Sequence, residues 1–269
     1  MKQFTDKIAV VTGAGSGIGK EVAIQLAAKG AYLIISDVNK KTVQETADAI
    51  GSQCEAHVVD VGNTEQVFAF ADKVLQKHGH IDILINNAGF ALGKISFRDV
   101  KLEDFQKIVN VNMWGVINHT KAFLESMLSR PEAHIVNISS VFGIIGMMEQ
   151  VPYCTSKFAV RGFTEALRME LRGTNVSTTC VHPGGIDTNI VKNGVHYDSQ
   201  EKVDELIEKF HVRAGRTSPK EAGRQIVDAI QKKKEKLLIG LDAQAIDRVA
   251  RTFPVGYTAL AEKVFGSLL

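Results

Sequence analysis

A tyrosine and a lysine, Tyr153 and Lys157, lie four residues apart in a stretch with helical spacing. Residues four apart share one face of a helix, so their functional groups can converge on one ligand. A free phenol has a pKa of about 10 and is a poor base near neutral pH, but a nearby ammonium favours the phenolate and lowers this pKa. The pair therefore predicts proton exchange with an alcohol, unless it is simply exposed on a helix surface.

Two serines precede this pair, and twelve residues separate Ser140 from Tyr153. Ser140 lies at the end of a predicted strand, at the sheet edge where we expect the tyrosine. Its hydroxyl could hydrogen-bond a carbonyl or alkoxide oxygen and stabilise the charge that develops there. Ser139 is the alternative to Ser140 for this role.

A glycine-rich loop joins the first predicted strand to the following helix, from Thr12 to Lys20. Glycines allow the backbone to turn tightly and approach a pyrophosphate, whose charge is favoured at the helix N-terminus. A strict G-x-G-x-x-G is absent because Ile18 occupies its last position, and Glu21 and Ala14 break a Walker loop. The pattern that fits is T-G-x-x-x-G-x-G, with Gly13, Gly17 and Gly19. A tight turn without a ligand is the simpler alternative.

An acidic residue, Asp37, ends the second predicted strand about 20 residues after the glycines, where it can accept both ribose hydroxyls of a dinucleotide. Its charge would also repel a 2′-phosphate. Position 38 is not arginine, and Ser16 rather than a basic residue precedes Gly17. The sequence therefore favours NAD over NADP. Lys40 or Lys41 could still reach a phosphate, although both fit solvated positions of the next helix equally well.

Strands and helices alternate along the chain, which predicts an α/β fold of the Rossmann type: a doubly wound parallel sheet of about seven strands with helices on both faces. Near-continuous apolar runs are typical of strands covered on both faces. The predicted strands are Ile8 to Val11, Tyr32 to Ile35, His57 to Val59, Ile81 to Ile85, Ile135 to Ile138, Val176 to Val181 and Leu237 to Ile239. The predicted helices are Lys20 to Lys29, Lys40 to Ile50, Thr64 to His78, Leu102 to Leu128, Val151 to Arg172 and Pro219 to Lys232.

The 269 residues fit a single domain covering 1–269. Within it, the polar stretch 184–216 is expected to form a substrate lid. The segment 242–269 is expected to be a C-terminal helical extension, broken at Pro254, that packs on the sheet, caps the site or contacts another subunit.

Composition excludes several classes of function. Lys and Arg total 32 against 30 Asp and Glu, a balance that argues against a nucleic-acid partner. The three cysteines show no C-x-x-C spacing, and His182 and His196 lack ligand partners, so no metal site or disulfide framework is expected. The start of the chain does not resemble a signal peptide, and no apolar run reaches about 18 residues, so we expect a cytoplasmic protein without membrane contact.

Taken together, these motifs resemble the short-chain dehydrogenase/reductase family over residues 7 to about 190. The resemblance rests on the motifs Thr12 to Gly19, Asp60-Val61, Asn86-Asn87-Ala88-Gly89, Asn110-Val111-Asn112, Ser140, Tyr153 with Lys157, and Pro183-Gly184 followed by Thr188. It implies hydride transfer between a nicotinamide cofactor and an alcohol or carbonyl compound. It also implies a homodimer or homotetramer assembled through the two longest helices.

The resemblance assigns roles to individual residues. It implies that Tyr153 is the general acid/base, that Lys157 holds the nicotinamide ribose and acidifies the tyrosine, and that Ser140 orients the substrate oxygen. Asn112 would hold a water molecule in a proton relay, although a buried asparagine that repairs a helix irregularity fits the same position. The implied cofactor contacts are Gly13, Ser16, Gly17, Ile18, Gly19, Asp37, Asp60, Val61, Asn87, Ala88, Gly89, Tyr153, Lys157, Pro183, Gly184, Ile186 and Thr188.

Three segments should face the substrate: Phe90 to Gly93, Val141 to Met148, and the lid near Ile190 to Tyr197. Their side chains are mainly apolar: Phe90, Leu92, Val141, Phe142, Ile144, Met147, Met148 and Val195. We therefore predict an NAD-dependent dehydrogenase or reductase acting on an apolar secondary alcohol or ketone. The alternatives are an NADP-dependent ketoacyl-type carbonyl reductase and a nucleotide-sensing binding protein without turnover. An epimerase or dehydratase is disfavoured by the chain length.

Overall fold

The computed structural model describes residues 1, 3–188, 194, 196–197, 203–204 and 217–259. The strands in this part of the chain are β1 Ile8–Thr12, β2 Tyr32–Asp37, β3 Cys54–Val58, β4 Ile83–Asn86, β5 Ala133–Ile138, β6 Val176–Pro183 and β7 Lys236–Ile239. The α-helices are α1 Gly17–Ala27, α2 Lys40–Ile50, α3 Thr64–His78, α4 Leu102–Val109, α5 Gly115–Leu128, α6 Val151–Glu170, α7 Pro219–Gln231 and α8 Leu241–Thr252. A π-helical turn, Asn110–Trp114, joins α4 to α5, and a short 3-10 turn, Val141–Gly143, follows β5.

All seven strands form one parallel sheet in the order β3-β2-β1-β4-β5-β6-β7. The chain winds outward from β1 in one direction and then returns to build β4 to β7 on the other side. The order reverses between β1 and β4, and ligands of open α/β sheets bind at the carboxyl ends of the strands beside such a reversal. The predicted Rossmann-type sheet is therefore confirmed.

Successive side chains of each strand face opposite sides of the sheet, which produces two hydrophobic layers. In β1, Ala9 and Val11 pack with helices α1, α2 and α7, whereas Val10 packs with α3, α5 and α6. The neighbouring strand β4 divides in the same way, with Leu84 on the Val10 side. Both faces of the sheet are covered, which explains why the strands are continuous apolar runs in the sequence.

Local signals set several helix ends. The Asn39 side chain accepts hydrogen bonds from the amides of Lys41 and Thr42 at the start of α2, and Asn63 caps α3 in the same way. Helix α3 ends at Gly79, whose φ of 76° is in the left-handed region that glycine adopts most readily. Helix α8 ends at Thr252, two residues before Pro254, as the sequence pattern indicates.

Several element boundaries differ from the sequence-based prediction by one to three residues. Strand β3 begins at Cys54 rather than His57, because its half-buried edge position lacks a continuous apolar run. The predicted helix from Leu102 to Leu128 is interrupted by the π-helical turn. Most of the predicted lid 184–216 and residues 260–269 of the C-terminal extension lie outside the described residues. No helix of the described part combines the length and the apolar character needed to cross a bilayer.

Candidate active site

The glycine-rich loop lies at the carboxyl end of β1 and leads directly into α1. Gly13 and Gly17 have φ values of 65° and 55°, which disfavour residues with a Cβ. A Cβ on Gly13 would lie 2.7 Å from the Cα of Ala88, and one on Gly19 would lie 2.3 Å from the carbonyl oxygen of Gly13. The side chain of Ser16 makes no capping hydrogen bond at the start of α1. The loop therefore offers the amides of a helix N-terminus to an anion.

Thr12 and Asn87 hold this loop against the end of β4. The Asn87 side-chain amide donates to the carbonyl oxygens of Thr12 and Gly13, both at 3.0 Å. The Thr12 hydroxyl accepts from the backbone amides of Asn87 and Ala88, both at 3.1 Å. Asn87 thus shapes the loop with its side chain, a role that the sequence pattern did not predict. Thr12 was not among the predicted site residues. Its position between the end of a strand and the first glycine of the loop could have indicated its role.

Asp37 ends β2 beside the same loop and is half-buried. Its carboxylate accepts hydrogen bonds from the amides of Gly15 and Asn39, both at 2.9 Å. A Cβ on Gly15 would come within 2.3 Å of the Thr42 hydroxyl and 2.9 Å of the carboxylate, so a side chain at this position would displace Thr42 or Asp37. Gly15 was not among the predicted site residues. Both lysines that follow are exposed, and the Lys41 ammonium lies 4.0 Å from Glu45.

Asp60 and Val61 form the turn after β3, next to Asp37. The Asp60 carboxylate accepts from the amide of Gly62 at 2.9 Å, and its own amide donates to Gln66 at 3.0 Å. Val61 is buried, and a Cβ on Gly115 would lie 3.0 Å from its Cγ2. The turn is therefore rigidly built at the carboxyl edge of the sheet, where an adenine ring would reach it.

Tyr153 and Ser140 lie together at the carboxyl edge of β5. Each is only 8% exposed, and the Ser140 hydroxyl holds the Tyr153 pKa below the value that burial alone would give. The Ser140 hydroxyl also accepts from the amide of Phe142 at 3.1 Å. The hydroxyl of Ser139 is turned away and donates to the carbonyl of Lys157 at 2.8 Å. The structure therefore brings Ser140, and not Ser139, to the tyrosine.

Lys157 is buried behind Tyr153. Its ammonium donates to the Ile138 carbonyl at 3.0 Å and lies 5.7 Å from the centroid of the tyrosine ring. Burial lowers the pKa of Lys157 to about 8 and raises the pKa of Tyr153 to about 12. The spacing of the pair predicts that the lysine lowers the tyrosine pKa. In this structure the loss of hydration dominates the Tyr153 pKa, and the Lys157 ammonium donates to a backbone carbonyl.

Asn112 lies in the π-helical turn and is fully buried. Its side-chain oxygen accepts from the amide of Phe90 at 3.0 Å, and its nitrogen donates to the carbonyl of Phe90 at 2.9 Å and to the Ser156 hydroxyl at 3.1 Å. A Cβ on Gly89 would lie 2.9 Å from Asn112 Oδ1 and 3.4 Å from the Lys157 ammonium. Asn112 therefore joins the π-helical turn to the loop after β4. This contact matches the alternative considered from the sequence, a buried asparagine at a helix irregularity.

The segment after β6 faces the glycine-rich loop. Pro183 ends β6, and Gly184 donates to the carbonyl of Ile239 at 2.9 Å. Ile186 is buried and forms an isolated bridge with Thr217. A Cβ on Gly17 would lie 3.3 Å from the Thr188 methyl group. Thr188 and the start of α1 are therefore neighbours, so the two predicted cofactor segments meet across one crevice.

Apolar side chains surround the tyrosine. The rings of Phe142 and Tyr153 meet edge to face, with centroids 6.2 Å apart. Tyr153 also packs in one cluster with Leu92 and Ile108, with Phe90 beside it. Ile144 and Met147 belong to a neighbouring cluster that includes α8, Met148 is half exposed, and Val195 lies outside the described residues.

Gln150 connects two segments near the site and was not among the predicted site residues. Its buried side-chain amide donates to the Leu92 carbonyl at 3.2 Å, and the neighbouring Glu149 carbonyl accepts from the amide of Ile95 at 3.3 Å. These bonds tie the loop after β4 to the segment before α6, which are two of the segments predicted to face the substrate. A single glutamine in an irregular stretch does not predict a contact with a distant loop.

Comparisons with known proteins agree with this geometry. The sequence model of the family described as short chain dehydrogenase matches residues 7–198. SadH of Mycobacterium tuberculosis, which is named as an oxidoreductase, is 41% identical over 266 residues, covering 97% of this chain and 95% of that protein. The 3-oxoacyl-[acyl-carrier-protein] reductase FabG of Thermotoga maritima is 37% identical over 185 residues, covering 68% of this chain and 75% of the reductase.

A solved structure shows the same fold with a nucleotide bound. It is a short chain dehydrogenase/reductase from Burkholderia phymatum in complex with NAD, with a TM-score of 0.86 and 29% sequence identity. The match covers 94% of this chain and 95% of that one.

Proposed function

The chain belongs to the short chain dehydrogenase family of oxidoreductases, and we propose that it transfers a hydride between NAD(H) and a mainly apolar secondary alcohol or ketone. The observation that carries this proposal is that Tyr153 and Ser140 are buried together at the same sheet edge as the glycine-rich loop. That arrangement supports a proton-exchanging role for Tyr153 and an oxygen-binding role for Ser140 beside a nucleotide crevice.

The described residues fit a nicotinamide dinucleotide. The glycines of the loop pack so closely that any Cβ on Gly13 or Gly19 would collide with backbone, which supports a cradle for the pyrophosphate. Asp37 would accept the ribose hydroxyls, Asp60 and Val61 would border the adenine, and Thr188 would contact the nicotinamide carboxamide. The remaining expected contacts come from Ser16, Ile18, Ala88, Gly89, Pro183, Gly184 and Ile186. When bound, the cofactor supplies the hydride acceptor or donor.

Tyr153 and Ser140 would act on the substrate oxygen. In alcohol oxidation, the hydroxyl proton moves to the Tyr153 phenolate as the C–H bond gives up its hydride, and the same proton returns to the oxygen in carbonyl reduction. The Ser140 hydroxyl donates to the substrate oxygen and stabilises its developing negative charge. The Lys157 ammonium favours the phenolate and would bind the nicotinamide ribose. Asn112 would hold a water molecule that connects Lys157 to solvent.

NAD is preferred over NADP because the Asp37 carboxylate would meet a 2′-phosphate with like charge. The apolar side chains around Tyr153 support an apolar substrate and exclude water from the reacting oxygen. The predicted lid 184–216 would close over the same cleft.

The experiment is a substrate screen that follows the absorbance of the reduced cofactor, with Tyr153→Phe as control. Wild-type turnover of apolar alcohols or ketones that Tyr153→Phe abolishes supports the proposal. Turnover that survives in Tyr153→Phe contradicts the mechanism, and a preference for carboxylated substrates contradicts the substrate class. Binding of NADH without turnover of any substrate would favour a nucleotide-sensing binding protein.

An NADP-dependent ketoacyl-type reductase is the second candidate, and the likeness to FabG favours it. Acyl-thioester ketones tested with NADPH would distinguish it.

For partners, we propose a homodimer or homotetramer that assembles through α5 and α6. Two exposed aromatic side chains support this proposal: Trp114 lies just before α5, and Phe158 lies on α6. Light scattering after gel filtration would measure the mass of the oligomer.

A cytoplasmic location is supported by the free thiols of Cys54, Cys154 and Cys180.

A further inference from the structure

A buried histidine lies directly behind the serine of the site. His182 is in β6 and is fully buried, and its Nδ1 lies 3.0 Å from the carbonyl oxygen of Ser140. The two residues are 42 positions apart in the sequence, so only the pairing of β5 with β6 brings them together. The mechanism proposed above assigns no role to this histidine.

The reason for the contact is that the backbone ladder between the two strands stops here. The amide of Ser139 donates to the Val181 carbonyl at 2.8 Å and extends the parallel ladder by one bond beyond Ile138. The next donor on β6 would be the nitrogen of residue 183, but this residue is proline and has no N–H. That bond would have ended on the Ser139 carbonyl, and the imidazole of His182 adds a link one residue further along, at the Ser140 carbonyl.

The contact also fixes the protonation of the ring. A carbonyl oxygen only accepts hydrogen bonds, so Nδ1 must carry the proton. Burial lowers the pKa of His182 to about 4, so the ring is neutral near pH 7 and has a single N–H. That N–H is committed to Ser140, and in the described part of the chain Nε2 is buried without a hydrogen-bond partner. His182 therefore has one polar function in this structure, which is to hold the Ser140 backbone.

We propose that His182 is a positioning residue that fixes the Ser140 backbone so that its hydroxyl is directed at Tyr153 and the substrate oxygen. Ser140 lies between β5 and the 3-10 turn, and its backbone conformation sets the direction of its hydroxyl. Without the imidazole N–H, the Ser140 carbonyl loses its link to β6 and the residue can rotate. This inference rests on the proposed function, because it concerns the same reaction.

The test compares His182→Leu with His182→Asn in the holoenzyme. Leucine fills the space without a donor, whereas the asparagine side-chain N–H can replace Nδ1–H. We expect His182→Leu to lower kcat by about 10- to 100-fold, with the KM of the substrate and the Kd of NADH within about twofold of wild type. We expect His182→Asn to keep kcat within about threefold of wild type.

A matched control is His134→Leu. His134 is an equally buried strand histidine whose Nε2 contacts Thr179 at 2.7 Å, at the opposite end of β5. This variant should lower the Tm while leaving kcat unchanged. If His182→Leu keeps the wild-type kcat, or if His182→Asn and His182→Leu are stable and lose kcat equally, the proposal is wrong.

A second measurement needs no activity and no leucine variant. In the 15N spectrum of histidine-labelled wild-type protein, the resonances that disappear in His182→Asn should be those of an Nδ1-protonated neutral ring at pH 7. An Nε2-protonated or charged ring would overturn the proposal even if His182→Leu fails to fold. If wild type turns over no substrate, the proposed function fails, and the spectrum still tests the contact between His182 and Ser140.

Discussion

The ammonium of Lys157 lies 5.7 Å from the centroid of the Tyr153 ring, yet it donates its hydrogen bond to the backbone carbonyl of Ile138 at 3.0 Å. The lysine is therefore held beside the tyrosine ring by a backbone carbonyl. Because both groups are buried, the charge of the lysine acts in a medium that screens it weakly. Burial raises the Tyr153 pKa to about 12, and the Ser140 hydroxyl opposes this rise.

The first prediction concerns this pair. Lys157→Met removes the buried cation, so the phenolate of Tyr153 becomes harder to form. We expect kcat for alcohol oxidation to fall by about 100-fold and the rising limb of its pH profile to move to higher pH. The measurement is kcat against pH for both proteins. Lys107→Met is the control, because the exposed Lys107 ammonium lies 5.9 Å from the Phe90 ring and should not affect the profile. An unshifted limb in Lys157→Met would rule out this electrostatic role.

The second prediction concerns cofactor selectivity. Asp37→Ala removes the charge that opposes a 2′-phosphate and also the acceptor for the amides of Gly15 and Asn39. We expect the ratio of Kd for NADPH to Kd for NADH to fall by at least about tenfold, as measured by fluorescence titration. Asp37→Asn keeps one acceptor oxygen without the charge and should change the ratio in the same direction. Lys40→Ala should leave the ratio near that of wild type. If it does not, the exposed lysine contributes to phosphate binding.

The third prediction concerns the C-terminal segment. The Tyr257 hydroxyl is hydrogen-bonded to the amide of Gly146 at 3.1 Å, within the segment predicted to face the substrate. Tyr257→Phe removes only this bond, which corresponds to about 1 kcal/mol. We expect the substrate KM to rise by about fivefold while the Kd of NADH stays constant. Equal changes in both constants would argue against a local effect on the substrate segment.

The fourth prediction concerns stability in acid. Burial lowers the pKa of His119 to about 4, of His134 to about 3 and of His182 to about 4. The unfolded chain binds these protons near pH 6.5, whereas the folded chain binds them only at lower pH. Stability from these groups is therefore fully present above about pH 6.5 and is lost as the pH falls toward about 4. Near pH 5 each histidine contributes a slope of about 1.4 kcal/mol per pH unit, and all three together contribute about 4 kcal/mol per pH unit.

Urea unfolding at pH 7, 6 and 5 measures this slope. His119→Asn should reduce the dependence on pH by about one third, whatever its effect on stability at pH 7. A free energy of unfolding that is constant between pH 7 and pH 5 would show that these rings are accessible to protons in the folded protein.

The amino-acid sequence was sufficient to predict the Rossmann-type parallel sheet and the approximate positions of its seven strands. These features depend on periodicity along the chain and on short motifs at strand ends, which are local properties. The spacing of Tyr153 and Lys157 within one helix belongs to this group, and so does the glycine pattern after β1.

Contacts between distant segments were decided only by the tertiary structure. Ser139 and Ser140 are neighbours in the sequence, but one hydroxyl turns to Lys157 and the other to Tyr153. Two other contacts depend in the same way on which strands lie side by side. They are the hydrogen bonds from Asn87 to the glycine-rich loop and the hydrogen bond from His182 to Ser140. A buried polar group must find its partner wherever packing brings a donor and an acceptor together, and that choice is not encoded in any local pattern.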